Sequence, residues 1–397
     1  MSRLIDVEFR STSRLGLFGR DYRGVRCEAL CEQGDRVAAG AAVMRDARRP
    51  QIMIAAPAAG RIVKLERGAG RRLVALQIEA DASAGVARYT APTSQQQDAQ
   101  RAFMLESGSW ASLRTRPFGN IPNPDAQPAA ILVTALDTAP QGPPVATVID
   151  AFADEFSAAV SMLARISEAP LYLCHAPAYR PPFDAASGAL CRAFSGAEAA
   201  GLPGRHIQAL CPIGFAGAQV WHIGYQETIA LGHLILHGQP WLQRIVALAG
   251  DAVTRPRCLQ TPPGAAVKEL LAGEVADGAL EIIAGSALYG HRLGVEPGFL
   301  RAAQRQLTVN RSAPAAAANS GMSALIPVDW LEQYAPPGIH PVPLMRSLQL
   351  GDAERARELG ALELVEEDVA PLAAACVSNS NYALLLRRVL DRLEESR

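Results

Sequence analysis

The sequence predicts an α+β multidomain protein: a small β-barrel or sandwich, a parallel α/β domain, a β-grasp module and a helical tail. Three observations support this. Residues 24–80 alternate apolar and polar positions in short runs separated by glycine turns, as small antiparallel domains do. Residues 131–249 alternate apolar strand-like runs with segments of helical period, the pattern of a parallel sheet with crossover helices. Residues 244–283 then give strand, strand, short helix and strand, a β-grasp order. A chain of 397 residues has room for roughly two to four domains. The expected boundaries are 1–95, 100–242, 243–310 and 323–397.

In the first segment Gly34-Asp35 and Gly40 punctuate runs at 25–30 and 42–44, and 52–54, 61–65 and 73–78 complete the set. The order Gly34-Asp35-x-Val37-x-x-Gly40, then Ala56-Pro57-x-x-Gly60-x-Ile62-Val63, resembles the barrel-sandwich fold of biotinyl and lipoyl domains. A swinging-arm carrier needs a lysine in the hairpin ahead of the Ala-Pro segment, because its amine is the group acylated. Here that hairpin reads Met44-Arg45-Asp46-Ala47-Arg48-Arg49-Pro50, and Lys64 falls in the following strand, so carrier function is not expected. Residues 81–100, with Gln95-Gln96-Gln97, read as a linker.

Beyond it, 131–136, 171–174 and 207–210 read as strands of a Rossmann-like domain. Val148, Phe152, Phe156, Val160 and Leu163 recur at helical spacing, and 224–237 reads as a second helix. No Gly-x-Gly-x-x-Gly follows any of these strands, so no glycine turn brings backbone amides to a pyrophosphate. Gly201-Leu202-Pro203-Gly204-Arg205-His206 is the nearest approach, read as a loop with His206 opening a strand. His222, His233 and His237 are assigned to the later helix. His233 and His237 stand four apart, but no carboxylate or cysteine lies in register with them, and no metal site is expected. The Ala-rich stretch 311–322 reads as a loop, and 352–359 and 384–393 as the ends of a helical tail.

Bulk properties remove whole function classes. The net charge is −1, which leaves no basic footprint for nucleic acid. Nearly all the basic residues are arginine, the lysines being Lys64 and Lys268. The seven cysteines are odd in number and scattered, which argues against a disulfide framework and for a reducing compartment. Cys27 and Cys31 are close, but no second pair completes a metal or iron–sulfur spacing. No apolar run reaches the ~18 residues a spanning helix needs, and the polar start with Arg3, Asp6 and Glu8 does not read as a signal peptide.

The candidate site is the stretch 106–118, Glu-Ser-Gly-Ser-Trp-Ala-Ser-Leu-Arg-Thr-Arg-Pro-Phe, at the junction of the first two domains. Junctions are where small-molecule sites form. Arg114 and Arg116 carry permanent charge, and Pro117 keeps Arg116 extended. Two readings stand: a ligand-facing turn, or a buried Trp110 with two solvated arginines.

Taken together, the pieces resemble the NqrA family of sodium-translocating NADH:quinone oxidoreductases. The motifs that carry the resemblance are Ser107-Gly108-x-Trp110-x-Ser112-Leu113-Arg114-Thr115-Arg116-Pro117-Phe118, Trp221-x-Ile223-Gly224-Tyr225-Gln226, Val246-Ala247-Leu248-Ala249-Gly250, and Leu359-Gly360-Ala361-Leu362-Glu363-Leu364 before Glu366-Glu367-Asp368. The β-grasp stretch is also similar to the SLBB modules of RnfC proteins and of the NADH-binding flavoprotein of complex I.

The resemblance implies a peripheral subunit on the cytoplasmic face of the bacterial inner membrane, docked on the membrane subunits of the complex. It implies no catalytic residue and no cofactor bound in this chain, with ubiquinone as substrate of the complex and NAD in a partner subunit. Quinone contact in the family has been attributed to two regions, which here match 18–24 and 114–118. The implied quinone-binding residues are therefore Tyr22, Arg23, Gly24, Trp110, Arg114, Arg116 and Phe118. The rings of Tyr22, Trp110 and Phe118 could stack on the head-group, an arginine could stabilise its developing negative charge, and Asp21 or Tyr22 could relay protons. The alternative is a docking or scaffold subunit of a divergent NqrA- or RnfC-type complex. Two departures from the family pattern, a shortened segment before 325–328 and Cys376-Val377-Ser378 in place of Cys-Pro-Gly, leave the coupling ion open.

Overall fold

The computed structural model describes residues 7–396, apart from 70–71, 197, 215–217, 288–289, 295–297, 302, 313–328, 336–337 and 377–379. Most of the Ala-rich stretch, the segment 325–328 and Val377-Ser378 lie outside the described residues.

After a two-residue strand β1 (Glu8–Phe9), the first module comprises β2 (Arg14–Phe18), β3 (Cys27–Ala29), β4 (Arg36–Val37), β5 (Ala42–Asp46), β6 (Met53–Ala55), β7 (Gly60–Arg67) and β8 (Leu73–Ala80). They form two small antiparallel sheets, ordered β2-β8-β7-β4 and β3-β5-β6. The period-2 pattern has its expected physical result. Ile62, Leu76 and Ile78 point into the core, whereas Arg61 and Glu79 point out, and a register shift at the start of β8 changes the phase so that Leu73 is buried and Val74 exposed. Lys64 lies within β7 and pairs with Glu66 at 3.2 Å.

The second module runs α1 (Gln97–Glu106), β9 (Arg114–Arg116), β10 (Ala130–Ala135), α2 (Val145–Ala151), α3 (Ala153–Leu163), β11 (Leu171–His175), β12 (Leu190–Ala193), α4 (Pro203–Leu210), β13 (Val220–Gly224) and α5 (Tyr225–His237). Its sheet order is β12-β11-β10-β13-β9. Pairing is parallel throughout except for β9, which runs antiparallel on the β13 edge with Arg114 opposite His222. β10 is buried on both faces, which explains its unbroken apolar run. Ile131 and Val133 join the core shared with α3, α5 and the barrel, while Ala130 and Leu132 face the other way.

Three sequence expectations fail here. The run 207–210 is not a strand but the end of α4, because Pro203 takes the first helical turn, where its missing N–H costs nothing. His206 is consequently a buried helix residue, its Nε2 2.7 Å from the Ala200 carbonyl. Part of the Gln-rich linker is α1, which buries Phe103 and Met104. Thirdly, His222 sits on β13 rather than on the helix with His233 and His237.

The third module is built from β14 (Arg244–Ala249), β15 (Arg257–Thr261), α6 (Val267–Leu271), β16 (Leu280–Ala284), β17 (His291–Arg292) and β18 (Gln306–Arg311). Its sheet order is β1-β15-β14-β18-β16-β17, so β1, the first strand among the described residues, completes the edge of the third module's sheet. That edge is tied by Glu8, which accepts from Arg255 at 2.8 Å and Arg257 at 2.9 Å, and by Arg10, 2.6 Å from Glu274.

The tail helices are α7 (Pro341–Leu350), α8 (Ala353–Glu358), α9 (Glu366–Ala375) and α10 (Tyr382–Glu395). Their buried face, including Leu344, Leu372, Tyr382, Leu386 and Leu390, packs with α4 over Ala130, Leu132 and Val220. The tail therefore roofs the second face of the parallel sheet. Among the described residues no helix is long and apolar enough to cross a membrane.

Candidate functional site

Where the modules meet there is a cavity of about 730 Å³, a size usual for small-molecule sites. The turn after β2 contributes Arg20, Asp21, Tyr22 and Arg23. The segment entering β9 contributes Ser107, Ser112 and Arg114, and the β13–α5 corner His222, Gly224 and Glu227. The third module supplies Arg244, Arg301 and Arg305, and the start of α9 supplies Glu366 and Glu367. Seven arginines stand against five carboxylates in its walls, so the cavity favours anions.

Most of these charges are spoken for, and the pairs run between modules. The Asp21 carboxylate is held by Arg301, which removes it as a free proton relay. Arg23 reaches Asp391 on α10 at 2.8 Å. Glu227 accepts from Arg305 at 2.7 Å and lies 3.5 Å from Arg244. Burial alone would raise the Glu227 carboxyl, but Arg305 and Arg244 outweigh it and bring the pKa down to about 2. Arg305 also lies over the Tyr225 ring, 4.9 Å from its centroid.

Arg116 is only 1% exposed. Its Nη1 is 2.5 Å from His222 Nε2, and its Nη2 is 3.3 Å from Asp368 and 3.5 Å from Glu367. A guanidinium can only donate, so His222 Nε2 is the bare acceptor nitrogen and the ring is neutral. Burial, then the neighbouring Arg116 and Arg114, push its pKa well below the ordinary value. Asp368 is fully buried, and that burial raises its carboxyl pKa against the pull of Arg116. It also accepts from the backbone N–H of Val365 at 2.8 Å and of Gly204 at 3.2 Å. Arg116 is thus a pin between the sheet edge and the tail.

Arg114 differs. Every hydrogen bond it makes goes to a backbone carbonyl: Ala111 at 2.6 Å, Leu113 at 2.8 Å and Asp21 at 3.1 Å. Burial lowers its pKa, and the nearby Tyr22, Glu227, Asp21 and Glu367 offset this only in part. Beside it stands Tyr22, whose hydroxyl has no hydrogen-bond partner among the described residues. Burial and then Asp21 raise its pKa, so the phenol keeps its proton and can donate it in a hydrogen bond.

Of the residues singled out from the sequence, Tyr22, Arg23, Arg114 and Arg116 line the cavity. Trp110 does not. It is fully buried, its Nε1 donates to Pro122 O at 3.0 Å, and its ring meets Trp221 edge-on at 5.4 Å beneath the Arg101 guanidinium. Phe118 packs against the tail core at φ +77, and its carbonyl accepts from Arg387 at 2.9 Å. Gly24 has φ +73, and a Cβ there would meet Asn120 at 2.9 Å, so it shapes the loop beneath the site. Of the three expected rings, Tyr22 lines the cavity and the other two do not. Glu227, Arg244, Arg301 and Arg305 were missed by sequence reasoning. Gly224 within the Trp221–Gln226 motif was the available signal for Glu227, since it opens the helix carrying that carboxylate.

Three family models match in tandem: the NqrA N-terminal barrel-sandwich hybrid domain over residues 5–81, the NqrA second alpha/beta domain over 95–240, and the NQRA C-terminal domain, of SLBB type, over 245–294. The NqrA component of the Na(+)-translocating NADH-quinone reductase of Pseudomonas aeruginosa is 36% identical, over 97% of this chain and 94% of that one. The chain belongs to the NqrA family. The corresponding NqrA proteins of Klebsiella pneumoniae and Neisseria gonorrhoeae are 34% and 33% identical, over 97% and 96% of this chain. In each case the NqrA relative is covered over 94% of its length. A solved NAD+-reducing [NiFe]-hydrogenase in the H2-reduced state aligns over 76% of this chain and 62% of its own at 14% identity, but its TM-score of 0.43 supports no inference.

Proposed function

We propose that this chain is the NqrA component of a sodium-translocating NADH:quinone reductase and that it binds the ubiquinone head-group in the cavity between its modules. It docks peripherally on the cytoplasmic face of the inner membrane against the membrane subunits of the complex. It carries no redox cofactor itself, and NAD binds in a partner subunit.

The observation that carries this reading is the pair Arg114 and Tyr22, a guanidinium with only carbonyl partners beside a protonated phenol without one. A quinone presents two carbonyl oxygens that gain negative charge on reduction. Donors already aimed at such an oxygen stabilise that charge without reorganising. Arg116 supports the strand that presents Arg114 and does not itself touch the head-group.

The test is a titration of short-chain ubiquinone against wild type and Arg114→Gln, with a thermal melt of each. One charge-assisted hydrogen bond is worth about 1.5–3 kcal/mol, so the affinity of the folded protein should fall roughly tenfold to a hundredfold, beside the lower Tm that follows from losing the bonds to Ala111, Leu113 and Asp21. Unchanged affinity overturns the quinone role and leaves the docking role. Docking has its own test: the chain should sediment with membranes when expressed with the rest of the complex. Recovery in the soluble fraction of such cells overturns it.

A further inference from the structure

We propose that Glu155, His233 and His237 form a binding site for one divalent cation of the zinc class, on the outer surface of the α/β domain and independent of the quinone cavity.

α5 places His233 and His237 one turn apart on the same face, with ring centroids 4.4 Å apart. The carboxylate that the sequence register lacks comes from the neighbouring helix. Gly232 on α5 lies so close to α3 that any Cβ there would collide with the Glu155 carbonyl oxygen. That close approach sets the Glu155 backbone, and hence its side chain, against the two rings. Glu155 Oε1 is 3.4 Å from His237 Nε2 and 3.9 Å from His233 Nδ1, and each residue offers a donor atom within 4.8 Å of the others.

These separations are long for hydrogen bonds, and His233 Nδ1 is buried with no hydrogen-bond partner. The Glu155–His237 separation already suits a shared metal, and that from Glu155 to His233 need shorten only slightly. Ligand atoms about 2.0–2.1 Å from a tetrahedral zinc lie about 3.3–3.4 Å from one another. Both histidines lie toward the C-terminal end of α5, where the carbonyl dipoles favour a cation. Two imidazole nitrogens and one carboxylate select Zn²⁺, Ni²⁺, Co²⁺ or Cu²⁺ over Mg²⁺ or Ca²⁺. His237 is half-exposed, so the fourth position opens to solvent and the ion can exchange.

The experiment uses the full chain after chelator treatment. Zn²⁺ is titrated calorimetrically, and Co²⁺ is added separately for its absorption spectrum. The expected result is one ion per chain, a tetrahedral cobalt spectrum without thiolate charge-transfer bands, and a rise in Tm on binding. His237→Ala and Glu155→Gln should each weaken binding at least ~tenfold. The double variant His233→Ala/His237→Ala should abolish it while melting, metal-free, as wild type does. No measurable binding, binding retained in the double variant, or a thiolate band from the cysteines overturns the proposal.

Discussion

Arg116→Gln isolates the pin between the sheet and the tail. The substitution removes a donor from His222 Nε2 and the guanidinium that faces the fully buried Asp368. Breaking a buried ion pair from one side costs about 3–5 kcal/mol. Asp368 keeps its bonds from Val365 and Gly204, which places the loss at the lower end, about 3 kcal/mol. At about 4–8 °C per kcal/mol for a unit of this size, the tail transition should fall by roughly 12–24 °C. The loss should also depend on pH. Asp368 has a raised folded pKa, so its contribution is present at low pH and lost as pH rises through that value. Without Arg116 to oppose the rise, protonating Asp368 relieves the variant more than wild type. His222, whose lowered pKa penalises acid, is relieved by the same substitution, so both groups act in one direction. Melts at about pH 8 and about pH 5 should show the gap between variant and wild type narrowing in acid. Hydrogen exchange should show extra opening confined to α7–α10. A deficit of equal size at both pH values, or opening spread over the barrel, would refute the assignment.

Trp110→Ala should cost about 3–5 kcal/mol in urea unfolding and leave the quinone affinity of the folded fraction unchanged, since the ring does not reach the cavity. Gly232→Ala should force α3 and α5 apart at a cost of about 1–3 kcal/mol or more, visible as an early melt or insoluble expression. Glu227, with its lowered pKa, adds stability that is lost as pH falls from 4.5 toward about 2. Melting Glu227→Gln against pH should therefore show a flatter acid limb than wild type. The purified chain should be colourless, and stoichiometric flavin or iron in it would contradict the cofactor assignment.

The strands of the barrel and the parallel sheet were legible because each buries a face or two faces, and burial writes itself into periodicity: Ile62, Leu76 and Ile78 in β7 and β8, the unbroken run of β10. α4 was not, since seven residues from Gly204 to Leu210 are too short for a helical period to stand out from an apolar strand end. Pro203 held the information instead. At the site, Arg114 and Arg116 look alike in sequence and lie two apart on one strand. What separates them is the partner each meets, and Asp368 comes from 252 residues away. Arg301, Arg305 and Glu155 were invisible for the same reason: their partners are set by tertiary approach, not by spacing along the chain.

The pairing of β1 with β15 joins Glu8 to Leu259, about 250 residues further on. Closing so long a loop carries a large entropic cost for only two residues of ladder. The strand is therefore expected to join last, after the barrel and the α/β domain have folded and shortened the span. Until then β15 presents an open edge to any other strand nearby, the situation that leads to aggregation. Glu8 and Arg10, by clasping Arg255, Arg257 and Glu274, give the late-arriving strand an electrostatic guide to that edge and a reason to stay. A chain lacking those first residues should reach the same cavity and the same roof, yet be born sticky.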